Sequence, residues 1–472
     1  MSLSIGAPRI RTLLLATVVL ALPLVAAVAA PAAHAASLPL VWSGTLSSAD
    51  SAGFTSVATG PDGAVYAAGY AEKNDAGTTS RLLLVKYVDA GATMTQAWTA
   101  IPQDAYATAA KVAVDPQGDV IVAGTQGPMA FHGAGSDLLL LKFSPTGALL
   151  WTATYDGAAH RMDYVKDLAL DADGNAIVVG ASAGGKTGRD YITLKVNADG
   201  SRAWARRYAG PSDFDEARSV AVDPSGNVYV TGESRVPARK PGVSGPPRVV
   251  TISYSKTGAR RWIIFGGRDS YSAGAAVTYS GAQGAEGVML TGWRYSGKPA
   301  TGHTFFAKYA LDGHLLWSRT PAGGTRWDEW PEAAALDATG APIAAGIRQQ
   351  PGMAAWLIGT SATGGDVWHS AFTSSFSNPS WAEFGSVAVA ADGRVLAAGD
   401  TASGEMTEDM PTTFLVRYSP GWPVTAPLDY VGAGSATTAD ACTAVAIGAA
   451  GMYAVGRQGS TTGDSDAVIL KF

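Results

Sequence analysis

The chain has a single cysteine, Cys442, in 472 residues, so no intramolecular disulfide can brace it. Charged residues are sparse at 15%, and they lean acidic. The formal net charge is −5, and −7 once Arg9 and Arg11 are set aside. A mildly acidic chain is a poor partner for nucleic acid or an anionic membrane surface. The six histidines (His34, His132, His160, His303, His314 and His369) are scattered without metal-ligand spacing. No Gly-x-Ser-x-Gly nucleophile elbow is present, and nothing in the chain calls for a cofactor. Only one long apolar run occurs, at residues 13–30. It follows Arg9 and Arg11 and precedes Ala33-His34-Ala35, an order that predicts a secretory signal peptide over residues 1–35. The alternative is an uncleaved anchor, because the run is nearly long enough to span a bilayer. Pro23 within it and the small residues just after it favour cleavage. The expectation is a secreted, extracellular monomer with no stable membrane span after cleavage.

What the chain has in abundance is a repeated phrase: an apolar alternating run, a glycine turn, a second run and a closing glycine. Val220-Ala221-Val222-Asp223-Pro224-Ser225-Gly226-Asn227-Val228-Tyr229-Val230-Thr231-Gly232 is its clearest copy. The closing glycines are Gly69, Gly124, Gly180, Gly232, Gly292, Gly346, Gly399 and Gly456, spaced 52 to 60 residues apart. A third run follows in each repeat, then a fourth marked by Trp42, Trp98, Trp151, Trp204, Trp262, Trp317, Trp368 or Trp422. Short strands at this period are the mark of a β-propeller with one four-stranded blade per repeat. The phase of the two ends adds to this. A fourth-strand signature, Leu40-Val41-Trp42, comes first, and a third-strand signature at residues 468–472 comes last. The two fragments sum to one blade, and sharing it hides both sheet edges. The prediction is an all-β, eight-bladed propeller of four-stranded antiparallel blades, one domain over residues 36–472, closed by an N-terminal strand that completes the last blade.

The Asp-x-x-Gly-Asn-Val-Tyr-Val-Thr-Gly phrase at residues 223–232, with Leu-Lys-Phe-x-x-x-Gly and then tryptophan at residues 141–151, resembles the bacterial SBBP β-propeller repeat family. The resemblance is clearest in the second to fourth repeats and covers most of the chain. It implies an extracellular or cell-surface location and a binding or scaffold role, with no catalytic residues to carry over. Asp312-Gly313-His314-Leu315-Leu316-Trp317 also resembles the tryptophan-docking repeat of eight-bladed quinoproteins. Those enzymes commonly carry an adjacent-cysteine disulfide, which one cysteine cannot form.

In a four-stranded meander the tight turns share one face, while the variable loops and inter-blade crossings share the other. Function on a rigid scaffold sits preferentially on such loops. Nine residues before the first-strand aspartate position stand Tyr106, Phe214, Tyr271, Asp328 and Trp381, with Trp327 one residue away. The next position holds Asp163, Asp215, Glu329 and Asp440 in four repeats and Ala52, Ala107, Ser272 and Ala382 in the others, with Glu216 and Glu383 close by. Aromatic planes interleaved with carboxylates suit sugar rings and their hydroxyls. The candidate ligand-binding residues are therefore Trp327, Asp328, Glu329, Trp330, Trp381, Glu383, Tyr106, Phe214, Asp215 and Tyr271. The competing reading makes the aromatics wedges between blades and the acids caps on backbone amides. No metal site is assigned: Asp171-Ala172-Asp173-Gly174 resembles the opening of a calcium loop but lacks its later acidic ligand, and a hairpin explains it. The recurring third-strand cations Lys86, Lys142, Lys195, Lys308, Arg417 and Lys471 read as structural. Arg235, Arg239, Lys240 and Arg248 read as a solvated loop cluster, and Cys442 as a buried small hydrophobe. The expected partner is an extracellular ligand or protein, with carbohydrate the foremost candidate. The rival is a glycosidase or lyase using channel-mouth carboxylates.

Overall fold

The structure is a computed structural model. It describes residues 40–46, 51–73, 79–102, 106–127, 135–236, 245–266, 272–281, 286–296, 301–321, 328–350, 352–365, 367–372, 379–403, 412–418, 428–430, 441–459 and 465–472. Residues 1–39, and with them the predicted signal peptide, lie outside this set, as do Trp327, Tyr271, Asp440 and Trp422. The described residues contain only strands and turns, arranged as eight four-stranded antiparallel sheets. The first strands of blades 1 to 8 are Ala52–Thr59, Ala107–Val114, Asp163–Leu170, Asp215–Val222, Ser272–Ser280, Glu329–Leu336, Pro379–Val389 and Ala441–Gly448. Blade 8 is completed by Trp42–Leu46, which pairs antiparallel with the last strand, Ser465–Lys471, from Trp42 opposite Lys471 to Leu46 opposite Ala467. The expected closure is present. It covers an edge that would otherwise offer unpaired backbone groups to other chains.

The closing glycines owe their place to a bulge. Each first strand carries an unpaired residue at the same point of its register: Thr55, Ala110, Lys166, Arg218, Ala275, Glu332, Gly385 and Thr443, and the blade 7 strand has a second shift between Pro379 and Trp381. Such a bulge bends the strand and sharpens its twist. The bend drives a first-strand carbonyl against the closing glycine of the second strand. A Cβ at Gly124 would overlap the carbonyl oxygen of Thr108, one at Gly180 that of Tyr164, and one at Gly232 that of Glu216. Only glycine admits that approach.

Blades are joined by their tryptophans. The indole of Trp98 donates to the carbonyl of Pro145 in the next blade at 3.1 Å, Trp151 to Ala198 at 2.9 Å, Trp204 to Lys256 at 3.1 Å and Trp262 to Leu311 at 3.0 Å. In each case the ring lies over a glycine two residues further on, Gly147, Gly200, Gly258 or Gly313, at φ between +81° and +91°. These turns need the left-handed backbone, and a side chain there would also strike the indole. The third-strand lysines of blades 1 to 3 are buried and ion-paired: Lys86 with Asp62 at 3.2 Å, Lys142 with Asp115 at 2.9 Å and Lys195 with Asp171 at 2.6 Å. Asp171 also accepts from the amides of Asp173 and Asn175, so its loop is a hairpin stapled to a lysine.

The seam between blades 8 and 1 is built differently. Among the described residues, no atom beyond its chain neighbours lies within 4 Å of a Cβ built on Gly91, the equivalent turn glycine, so the Trp42 indole does not dock there. Trp42 instead meets the Tyr87 ring edge-on at 6.1 Å. Lys471 of blade 8 pairs with Asp89 of blade 1 at 2.5 Å, and the Tyr453 hydroxyl donates to the same carboxylate. Cys442 is 3% exposed within the blade 7–8 core.

Two outcomes follow from this packing. Trp204→Ala is expected to cost about 3–5 kcal/mol in chemical denaturation, the usual loss for emptying a core aromatic site. Deleting residues 38–48 is expected to give aggregation in light scattering or a large fall in melting temperature, because it bares the last strand of blade 8.

Candidate functional site

The crossing acids are mostly committed to the backbone. Asp163, fully buried, accepts the Gly157 amide at 2.5 Å, and Asp215 accepts the Gly210 amide at 2.6 Å. Asp328 accepts the Gly302 amide at 2.6 Å and the Tyr295 hydroxyl at 3.2 Å. Glu329 is 1% exposed and forms an ion pair with Arg348 at 2.8 Å. Burial pushes Asp163 upward and Asp215 to about 6. Asp137, Asp156 and Asp163 lie close enough to share a cation, but the Asp163 carboxylate is already turned to Gly157 and no metal site is assigned.

The candidate aromatics are dispersed. Tyr106 is exposed and holds the left-handed conformation at φ +49°. Trp330 is half-buried in the first strand of blade 6, opposite Ile347. Trp381 is described as strand backbone only. Phe214 is clamped between the guanidinium groups of Arg189, 4.7 Å from its centroid, and Arg235, at 4.6 Å. Arg248 likewise lies 4.4 Å from the Phe265 ring. Arg235 and Arg248 are therefore stacked cations and not a freely solvated run, while Arg239 and Lys240 lie outside the described residues.

What converges is a different set of residues. Lys111, Lys166, Glu216, Arg218, Ala275 and Glu332 line a cavity of about 260 Å³. Lys166, Arg218, Ala275 and Glu332 are the bulge residues of blades 3 to 6, so one irregularity at the same point in each first strand delivers them to the channel. Glu216 anchors the group. It accepts from the Tyr164 hydroxyl and from Arg189 at 3.1 Å, with Lys166 at 3.6 Å and Arg218 at 3.9 Å. Burial alone would raise its carboxyl, but Lys166, Tyr164, Arg218 and Arg189 together hold it below its ordinary value. Arg218 reaches Glu233 at 3.2 Å. Glu332 faces the water of the channel without an ion pair among the described residues. Its enclosure pushes the carboxyl up, and Glu383 pushes it the same way. Glu383, half-buried in the first strand of blade 7, is raised by burial as well. Of the expected candidates, only Glu383 acts on this cluster.

Sequence reasoning missed Lys111, Lys166, Arg218 and Glu332. The available signal was positional. Five residues before the first-strand aspartate position, a polar residue or glycine interrupts the apolar alternation at Thr55, Lys166, Arg218, Glu332, Gly385 and Thr443.

Comparison with known families gives one match, to the model described as SBBP, beta-propeller repeat, over residues 203–236. Residues 203–236 are similar to an SBBP repeat. That stretch holds Trp204 at one end and the Phe214–Arg235 clamp within it, so the SBBP repeat spans a blade junction. No curated protein matches. Among solved structures, a quinohemoprotein alcohol dehydrogenase from Pseudomonas putida HK5 is similar at TM-score 0.51 and 12% identity, covering 92% of this chain and 75% of that one. The β-propeller domain of the Trilobed protease from Pyrococcus furiosus is similar at 0.44 and 10%, covering 79% and 96%. Polysaccharide lyase Uly1 is similar at 0.44 and 11%, covering 76% and 88%. At this identity the likeness to the dehydrogenase concerns the fold, and propellers host unrelated functions.

The raised Asp215 has a consequence for stability. Its folded value lies above the ordinary aspartate value of 3.8, so the native state holds this proton more tightly than the unfolded chain. Its contribution is therefore lost as the pH rises from about 4 to about 6. Asp215→Asn keeps an acceptor for Gly210 and is expected to gain on wild type across that window, by at most about 3 kcal/mol at pH 7. Melting temperatures of both proteins at pH 4, 5, 6 and 7 check this; a constant gap would refute it.

Proposed function

We propose that this chain is an exported, non-catalytic binding or scaffold propeller whose ligand docks on the variable-loop face, where the charged channel opens. Glu216 pairs in register with Glu233, and Arg189 is the second residue of the third strand of blade 3, Gly188–Val196. Both stand at the loop end of their blades, with Lys166 and Arg218 deeper in the channel. The observation that carries this reading is the commitment of the crossing carboxylates. Asp163, Asp215 and Asp328 cap amides, while Glu216 and Glu329 are ion-paired. A glycosidase needs two carboxyl groups free to exchange protons with substrate. Export rests on the charge and hydropathy pattern of residues 1–35. Carbohydrate is the leading ligand class, with an extracellular protein the alternative.

One observation favours the rival reading, a carbohydrate-active enzyme. Glu332 and Glu383 both have raised carboxyls, and the charge of Glu383 is one cause of the rise at Glu332, as expected of an acid beside a second carboxylate. A glycan array followed by incubation with each bound polysaccharide separates the two. Binding without new reducing ends or unsaturated products is expected. Turnover that Glu332→Gln abolishes would establish the enzyme, and an array blank for glycans would remove carbohydrate as the ligand.

A further inference from the structure

The axial cavity has a lopsided composition. Its lining offers three cations, Lys111, Lys166 and Arg218, against two acids, Glu216 and Glu332. Glu216 is taken up by Tyr164 and Arg189, and Arg218 shares itself between Glu216 and Glu233. Lys111, half-buried at the wall, has no ion pair among the described residues. A partly desolvated ammonium of this kind gains by meeting an anion. The wall is not purely basic, however, since Glu332 stands in it as a hydrogen-bond acceptor. Arg218, Lys166 and Glu383 are the charged groups that act on it. Ala275 adds a small apolar surface. The volume of about 260 Å³ falls just below the range of drug-sized pockets, about 300–1,000 Å³.

We propose that this cavity binds the single carboxylate of a hydroxylated acid of monosaccharide size, a uronate. The carboxylate meets Lys111, with the Glu216- and Glu233-bound Arg218 adding positive potential behind it, the hydroxyls donate to Glu332, and a C–H face rests on Ala275. This rests on the binding reading above and narrows it to an acidic sugar. The chemistry discriminates against the other candidates. Inorganic phosphate carries more charge and no comparable set of hydroxyl donors, so Glu332 repels it. A neutral hexose leaves Lys111 unmatched. A hydroxylated monoacid satisfies both walls at once.

The test is calorimetric titration of the full chain with galacturonate, glucuronate, glucose and inorganic phosphate. Uronate binding is expected, with glucose and phosphate at least about tenfold weaker, the effect of one charge-assisted contact. Lys111→Met should weaken uronate about tenfold with an unchanged melting temperature, and Lys111→Arg should restore most of it. Should Lys111→Met fail to fold, Glu332→Gln serves instead: removing the negative wall should narrow the preference for uronate over phosphate. Equal binding of phosphate and uronate, no uronate binding, or a uronate affinity indifferent to these substitutions would overturn the proposal. A glycan-array signal without uronate binding overturns this inference alone, whereas an array blank for glycans removes the carbohydrate reading beneath it.

Discussion

The interaction on which the molecule depends is an indole laid over a glycine of the neighbouring blade. Trp98, Trp151, Trp204 and Trp262 each cover a left-handed glycine and donate to a carbonyl two residues before it. Indole gives a large apolar area with one polar handle, and here both are satisfied by a single turn. With one cysteine in the chain, no covalent tie is available, and a blade alone buries too little to stand. The same turn explains two recurring features together: a glycine for its backbone and a tryptophan for its roof.

The docked blades hold their first strands in a ring around the axis, and each of those strands is bulged at the same point. The inner belt is knitted by side chains reaching to the next blade: Ser56 to the Val112 amide, Asp167 to Val220, Ser219 to Val277 and Ser386 to Val445. Across the seam the Thr443 hydroxyl donates to the Phe54 carbonyl at 2.6 Å. Pairing leaves the bulge residue free of the sheet, so its side chain is released from packing duty. In blades 3, 4 and 6 that freedom is filled by Lys166, Arg218 and Glu332. The fold thus creates a rigid place where charge can stand in the channel without breaking a ladder.

Much of the architecture was legible because repetition amplifies weak signals. Eight copies of a hairpin phrase and a tryptophan identify a propeller, and the phase of Trp42 against residues 468–472 locates the shared blade. The reason for the closing glycines was not legible. They read as punctuation at strand ends, whereas they admit a bulged carbonyl from the adjacent strand. The site was read one step away from where charge converges. Interleaved aromatics and acids at Phe214, Asp215, Asp328 and Glu329 resemble a sugar-binding rim, yet each has a structural partner. A linear pattern shows which residue types are present but not which neighbour consumes them. Lys166, Arg218 and Glu332 were passed over because alternation makes a lone charge look like an outward-facing strand residue.

One continuous ring, held as firmly at its seam as elsewhere, supports the channel. Hydrogen exchange of the intact protein tests it most directly, by comparing the first strands of blades 8 and 1, Ala441–Gly448 and Ala52–Thr59, with those of blades 3 and 4, Asp163–Leu170 and Asp215–Val222. Comparable protection is expected in all four, lost together only on global unfolding. Fast exchange of the two seam strands while blades 3 and 4 stay protected would contradict it, because the Lys471–Asp89–Tyr453 link would then be no substitute for a docked tryptophan.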